Sequence, residues 1–492
     1  MSEPRRLHPI AALLSGLRAL RELLLPLAIL IISSFFRGGT SEGSEMWWRF
    51  GSAGAVLVGT LIFGVLSWSR YRYAVEEGEL RIEHGVLVKK RNYIARQRIQ
   101  AVDFTEPLLH RLFGVVKVTV ETAGGQKPEA VLTAVTREEA EHLKQELMFI
   151  NAMRESSDTE DALYQGVGDA PVQVEREPDF LYELPSSRLF IYGATSGGIG
   201  VVLSLFAAAF SQAGDVIPYE RIFSFFNHFV FSALLILAFV VLLVAWVLGM
   251  LGVMIKYGGF VLKKSGDRLL ITRGWIERRQ LTIPVKRVQA VRLVEGVLRQ
   301  PFGFVSVQID TAGYGAVKGE KTIIFPLLRR AEVRDLLEEV LPGFYVETKL
   351  TPLPKRSVLF YMLGRVLPVL IVSSPSFYFL AGMWRYTAGP LLLLAALLGV
   401  WQYRSGGFAV KQRETLVLRS RFISRTTTFI PRRRIQFARL RTAPWQRSAS
   451  LASYTAVVAS GQMGAKVALH HMKEDDGHAL YEWVQQNTNA TE

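Results

Sequence analysis

The 492-residue sequence predicts a multi-pass membrane protein in which three transmembrane α-helical hairpins alternate with three small β-barrel domains, each capped by a C-terminal helix. Three observations carry this prediction. Half of the residues are apolar and they gather in blocks long enough to cross a bilayer, which takes about 20 residues for a core of roughly 30 Å. The blocks come in pairs with short connections. Between the pairs, a unit of 40 or so residues recurs three times without a gap, at offsets of 189 and 147.

In order, the blocks occupy residues 17–36 and 50–68, 189–210 and 229–255, and 358–380 and 390–401. Each pair predicts a hairpin that leaves and re-enters one face of the membrane, so six crossings are expected. The first block opens on Arg18, Arg21 and Glu22, an amphipathic approach helix in which Arg18 and Glu22 pair at i, i+4 before the run turns apolar at Leu23. It is not read as a cleavable signal peptide, because no small-x-small site comes after it and a second apolar run does. Pro26, Pro368, Pro375 and Pro390 predict kinks. Arg365 lies inside the fifth block, where a charge is costly; within about three turns of the end, it is expected to snorkel.

Two echoes of a dehydrogenase are excluded by context. "FIYGATSGGIGVV", residues 190–202, has a glycine-rich turn, but a dinucleotide site needs an amphipathic helix after it and an acid about 20 positions on. The residues after Gly200 are instead apolar all round for two turns. Gly193, Gly197 and Gly200 form a small-residue strip for close helix packing. The Tyr314-x-x-x-Lys318 pair falls between alternating runs, in a hairpin turn rather than on a helix.

The repeat is the main signal. Its copies begin "LRIEHGVLVKKRNYIARQRIQAV" at Leu80, "LLITRGWIERRQLTIPVKRVQAV" at Leu269 and "LVLRSRFISRTTTFIPRRRIQFA" at Leu416. Each opens on apolar-polar alternation, turns, and runs a second strand into the shared Arg-[Ile/Val]-Gln. A further strand, a glycine turn and a helix complete the unit. In the first copy Thr136 and Glu139 form a capping box ahead of Ala140, Leu143 and Leu147 on one face. Residues 331–341 and 479–484 occupy the matching places. Several strands closed by one helix imply a small barrel or bent sheet.

At these residues, and in the opening "RRLHPIAALLSGLRAL", the chain resembles the bacterial pleckstrin-homology-like (PH-like) membrane proteins of the YdbT type, which carry three such domains. The resemblance implies a seven-stranded, partly open barrel plugged by a C-terminal helix. It implies an association with the cell envelope and with resistance to membrane-active peptides, and a smaller one-domain PH-like membrane protein as a partner. The expected organisation is a hairpin over residues 1–69, a PH-like domain over 70–150, an acidic linker over 151–187, a hairpin over 188–255, a PH-like domain over 256–345, a hairpin over 346–401 and a PH-like domain over 402–492. The third copy departs from the pattern: Arg421 replaces Gly85 and Gly274, and Ala449-Ser450 replaces the Phe-Gly pairs Phe113-Gly114 and Phe302-Gly303. Those departures set a shared ligand pocket in that copy in question.

Arg5, Arg6, Arg18 and Arg21 precede the first block, and Arg70, Arg72, Lys256, Lys263, Lys264 and Arg404 come after the second member of each pair. The positive-inside rule then puts the N-terminus and all three domains in the cytoplasm of a bacterial cell, with Trp47 and Trp48 at the outer interface. The chain has no cysteine, in accord with a disulfide-free fold. Residues 155–183 hold nine acids and one Arg, a mobile linker by composition, whereas residues 402–473 hold 14 Lys and Arg against one Glu. Beside an anionic surface each such cation is worth about 1 kcal/mol.

The functional expectation is a non-enzymatic scaffold without a cofactor. Its third domain contacts anionic lipid through Arg432, Arg433, Arg434, Arg439 and Arg441; the competing reading leaves these charges to topology and solubility alone. Partner proteins and homo-oligomers are admitted. Nucleic acid is not, since no recognition motif accompanies the charge. Arg98 and Gln100, Arg287 and Gln289, and Arg434 and Gln436 read as a ligand clasp or, preferably, as hydrogen bonds that close a strand end in each copy. The eight His are scattered, and His470 and His471 alternate across a strand, so no catalytic or metal site is assigned. The alternative is a transporter or channel component built from the six helices, which lack the polar lining such sites need.

Overall fold

The computed structural model describes residues 4–16, 43–76, 78–86, 88–122, 129–156, 179–196, 204, 230–312, 321–379, 388–411, 414–460 and 464–485. The chain forms two compact units, one of residues 1–176 with 276–282 and one of residues 177–275 with 283–492.

The threefold repeat is visible in the strands. The first copy has β1 (Arg5–Arg6), β2 (Arg72–Glu76), β3 (Glu79–His84), β4 (Lys90–Ala95), β5 (Ile99–Glu106), β6 (Val115–Thr122) and β7 (Ala130–Thr136). The second has β8 (Phe180–Glu183), β9 (Val261–Ser265), β10 (Arg268–Arg273), β11 (Arg278–Pro284), β12 (Val288–Glu295), β13 (Phe304–Thr311) and β14 (Thr322–Arg329). The third has β15 (Thr351–Pro352), β16 (Gly407–Lys411), β17 (Thr415–Arg421), β18 (Arg425–Pro431), β19 (Ile435–Arg441), β20 (Leu451–Val458) and β21 (Ala465–Lys473). Among the described residues each copy contributes seven strands, the number expected, though not as a barrel of its own. The main helices are α1 (Gly43–Ser69), α2 (Arg137–Ser156), α3 (Ser186–Ala194), α4 (Val230–Tyr257), α5 (Val333–Val340), α6 (Ser357–Phe379), α7 (Ala388–Ser405) and α8 (Glu474–Gln485).

Helix α2 keeps closely to the sequence pattern. Thr136 Oγ accepts from the Glu139 N–H at 3.3 Å, satisfying one of the orphan donors of the first turn. Ala140, Leu143 and Leu147 then enter the core with Leu80, Ile82, Val118 and Leu132. Helices α5 and α8 close their copies in the same way: Val333, Leu337 and Val340 are fully buried, and Leu480 joins Leu416, Tyr454 and Leu469.

The apolar helices are inserted within the copies rather than between them. The first strand of each copy lies before its helices and pairs antiparallel with the strand after them: Arg5 with Tyr73, Tyr182 with Leu262, and Thr351 with Phe408. A sequence reading misses this because β1 and β15 are two residues long, too short for any periodicity.

The six-crossing alternation is overturned. Among the described residues two helical segments are long and apolar enough to cross a membrane, Ile236–Tyr257 and Ser357–Ser374. In α1 the apolar stretch is the shorter Val58–Ser69, because Glu45, Arg49 and a run of Gly and Ser interrupt the rest. Helix α7 ends in Gln402-Tyr403-Arg404-Ser405, which lowers its mean hydropathy. Residues 17–36, most of 197–229, and with them Gly197 and Gly200, lie outside the described residues, as do Tyr314, Lys318 and most of the acidic stretch. Helix α6 continues through Pro368 and Pro375.

Nor are the β-domains separate barrels. In the second unit β12 of the second copy pairs with β18 of the third, within one sheet ordered β14-β13-β12-β18-β17-β16-β15. In the first unit the start of β11 pairs with β5, Arg278 opposite Glu106 and Gln280 opposite Phe104. Main-chain hydrogen bonding continues from copy to copy at these two joints, and among the described residues β1-β2-β3-β4 and β19-β20-β21 each stand as a sheet of one copy.

Candidate functional site

In each copy the Arg-[Ile/Val]-Gln motif makes a one-turn 3₁₀ segment leading into a β-bulge. The turns are Arg96–Arg98, Val285–Arg287 and Arg432–Arg434. The register then shifts between Ile99 and Ala101, between Val288 and Ala290, and between Ile435 and Phe437, leaving Gln100, Gln289 and Gln436 as the extra residue. In the second copy Gln289 is buried and its Nε2 donates to the Arg287 carbonyl at 3.0 Å, which also accepts from the Ala312 N–H. That is a strand-closing arrangement. Arg98 and Gln436 are exposed, and the Gln100 side chain lies outside the described residues.

The basic surface of the third copy is assembled by that same turn. Pro431 ends β18, and the Arg432 N–H donates to the Glu414 carbonyl at 2.6 Å. The Arg432 guanidinium lies 5.0 Å from the ring centroid of Trp483 on α8. Its Nε and Nη2, and Nε of Arg434, are buried without a hydrogen-bond partner among the described residues. Burial, and then the neighbouring Arg433, pull the Arg434 guanidinium below the ordinary arginine range. Arg433, Arg439 and Arg441 are exposed, the last two on one face of β19 at i, i+2. Beside β19 runs an open groove of about 510 Å³, lined by Arg439, Thr442 and Arg447 and, from α8, by Glu474, His478 and Tyr481.

The departures in the third copy are filled in specific ways. Gly114 and Gly303 have φ of +65° and +67°, and Ser450 takes the same left-handed conformation at +46°. Arg421, in place of the turn glycine, is buried: its guanidinium stacks 3.9 Å from the Trp401 centroid and donates to Ser405 Oγ at 2.6 Å and Gln300 Oε1 at 2.8 Å. Arg365 does not snorkel alone. Its Nε donates to Gln402 Oε1 on α7 at 2.9 Å, Gln402 donates on to the Phe422 carbonyl at 2.7 Å, and the guanidinium lies over the Phe422 ring. Gly193 is placed for close packing: a Cβ there would sit 3.1 Å from Met250 and Met254 of α4.

His470 and His471 hold α6 onto β21 through their carbonyls, which accept from Tyr361 Oη at 3.0 Å and Ser357 Oγ at 2.5 Å. The His471 ring stacks on Phe360, and its Nδ1 lies 2.8 Å from Gln446 Nε2. Burial, and then His470, push the His471 pKa down to about 4. Because that lies below the unfolded value of about 6.5, the unfolded chain takes up the proton first. Stability is therefore expected to fall as pH drops from about 6.5 to 4. Thermal midpoints of the detergent-solubilised chain between pH 7 and 4 check this, and His471→Gln should flatten the profile.

Among the described residues, α4 shows large apolar side chains around its circumference, Ile236 and Phe239 each 65% exposed, as a helix in contact with lipid does. The chain is 30% identical over 494 residues to the UPF0699 transmembrane protein YdbT of Bacillus subtilis (strain 168), covering 98% of both. No solved structure matches the chain. The bacterial PH domain model matches three times, at residues 23–148, 209–343 and 358–488, one match on each structural copy. With the repeated strands, the bulged Arg-[Ile/Val]-Gln turn and the apolar helices, this makes the chain a membrane-associated member of the bacterial PH domain family.

Proposed function

We propose that this chain is a non-enzymatic scaffold of the bacterial cytoplasmic membrane, its PH-like copies facing the cytoplasm, that holds anionic lipid headgroups on its third copy and serves envelope defence against membrane-active peptides. The observation that carries the reading is the Arg432–Arg434 turn. Three buried guanidinium nitrogens lack an acceptor, and no ion pair reaches Arg432, Arg433, Arg434, Arg439 or Arg441 among the described residues. An unsatisfied buried polar group costs about 1–3 kcal/mol, more when charged, and a phosphate oxygen removes that cost. The cytoplasmic placement rests on the positive-inside bias, and cations on a surface tethered beside a bilayer add to the attraction.

Since the chain has no cysteine, a single exposed Ser448→Cys carries one dye. The test is energy transfer from that dye to a headgroup-labelled lipid, with the full chain in nanodiscs of rising anionic fraction. Transfer is expected to rise with anionic lipid, to weaken with salt, and to fall to the zwitterionic level when Arg432, Arg433 and Arg434 are changed to Ala together. Equal transfer in purely zwitterionic discs sinks the reading.

A further inference from the structure

The two joints between copies have the same register. Glu106 of β5 stands opposite Arg278 of β11, and Glu295 of β12 stands opposite Arg425 of β18; under the repeat alignment these are the same two positions. In the second joint Arg425 Nε donates to Glu295 Oε2, and Arg330 holds Oε1 at 3.3 Å. In the first, Asp103 Oδ1 accepts from the Thr282 N–H at 2.9 Å. Each joint is thus an antiparallel strand addition with a carboxylate and a cation at opposed positions at one end; in the second the two pair directly, whereas in the first Glu106 pairs with Arg137 at 3.6 Å.

Strand β4 is the first copy's counterpart of β11 and β18, and among the described residues it has β3 on one side and no strand on the other. Lys89 is its equivalent of Arg278 and Arg425. Tyr93 is 55% exposed, whereas its equivalents Thr282 and Phe429 are only 2% and 3% exposed. Lys89 and Arg91 instead rest on Glu83 of β3, at 2.7 and 2.9 Å, one carboxylate for two cations with Lys90 alongside. The edge therefore keeps the basic half of the joint and lacks the acidic strand. Cations commonly protect an exposed edge from pairing. Here the first cation belongs to the joint, since both occupied counterparts carry one at the same position.

A second copy of this chain does not supply the missing half. Among the described residues its free strand of the right kind is β19, which at the joint register sets Thr442 opposite Lys89, Arg441 opposite Lys90 and Arg439 opposite Asn92. Like charges across a strand pair oppose association. We propose that the β4 edge receives, antiparallel, a β5-type strand of a different protein chain, one that carries a carboxylate opposite Lys89.

The test uses peptides as the probe and disulfide trapping as the readout. At the joint register Tyr93 faces the position of Val102. The full chain with Tyr93→Cys, in detergent, is mixed with a synthetic β5 peptide, residues 98–107, carrying Val102→Cys. Capture is expected above that of an Asn92→Cys chain, which is one residue out of register. It should drop about fivefold for the same peptide with Glu106→Lys, and likewise for a β19 peptide, residues 434–443, with Ala438→Cys. Capture no greater than that of the Asn92→Cys chain overturns the docking edge. Equal capture of the Glu106→Lys peptide overturns the carboxylate requirement. Head-to-tail cross-linking of a chain bearing both Tyr93→Cys and Ala438→Cys overturns the choice of a different chain over a second copy. The trapping at Tyr93→Cys is read in detergent without anionic lipid, so it stands or falls apart from the lipid reading.

Discussion

Asp310→Ala is expected to destabilise the chain by about 3–5 kcal/mol, the cost of leaving one member of a buried ion pair without the other. Arg292 Nε donates to Asp310 Oδ2 at 2.5 Å, and the two side chains are only 8% and 3% exposed. Lys321 lies in the same field, its pKa lowered first by burial and then by Arg292, with Asp310 the opposing influence. Without Asp310 the buried Arg292 guanidinium keeps its charge and loses its counter-charge. The double variant Arg292→Met/Asp310→Leu removes both charges and should recover most of the loss. Thermal midpoints of the purified chain in one detergent decide the matter. A single variant that melts with the wild type would show that water or a neighbouring group already satisfies Arg292.

Gly399→Leu is expected to have a comparable effect on the α6–α7 hairpin. A Cβ at Gly399 would sit 2.7 Å from both the Met362 Cα and the Tyr361 carbonyl oxygen. Both are backbone atoms, so no rotamer change makes room and the helices must part. Parting also breaks the Arg365–Gln402 hydrogen bond and exposes the arginine to the apolar surroundings of its own helix. Overpacking alone costs about 1–3 kcal/mol, and the lost polar contact adds to it. Gly399→Ala should lower the thermal midpoint and Gly399→Leu should lower it further. An unchanged midpoint for the leucine variant would mean that the helices do not depend on this approach.

Much of the fold is legible in the residues. Thr136 with Glu139, and Ala140, Leu143 and Leu147, determine a capped amphipathic helix because caps and helical periodicity act within a few positions. The three Arg-[Ile/Val]-Gln motifs mark three equivalent turns, although that the Gln is the extra residue of a bulge emerges only from the strand register. The glycines at the turn before β4 and β11 are readable too: Gly85 and Gly274 have φ of +114° and +104°, where a side chain is strained. Arg421 shows the limit of that reading. The loss of glycine is plain, but the ring, hydroxyl and amide that receive the guanidinium come from Trp401, Ser405 and Gln300.

The candidate site divides in the same way. The excess of arginine from Arg432 to Arg441 is a matter of composition. That Arg432 and Arg434 bury nitrogens without acceptors, whereas Arg433, Arg439 and Arg441 stand in solvent, depends on how β18, β19 and α8 pack.

By itself the sequence determined that there are three copies of one β-rich unit, each ending in a helix, with apolar segments interleaved and the positive charge concentrated in the last copy. Those properties are local or additive, and alternation, capping, hydropathy and charge carry them. Only the tertiary structure decided that the first strand of each copy lies before its helices, that copies join edge to edge, and that β4 is left open among the described residues. Strand pairing is made by backbone groups that every residue carries, so its partners are chosen by distant edges and their few charges, such as Glu295 and Arg425, and not by any pattern along the chain.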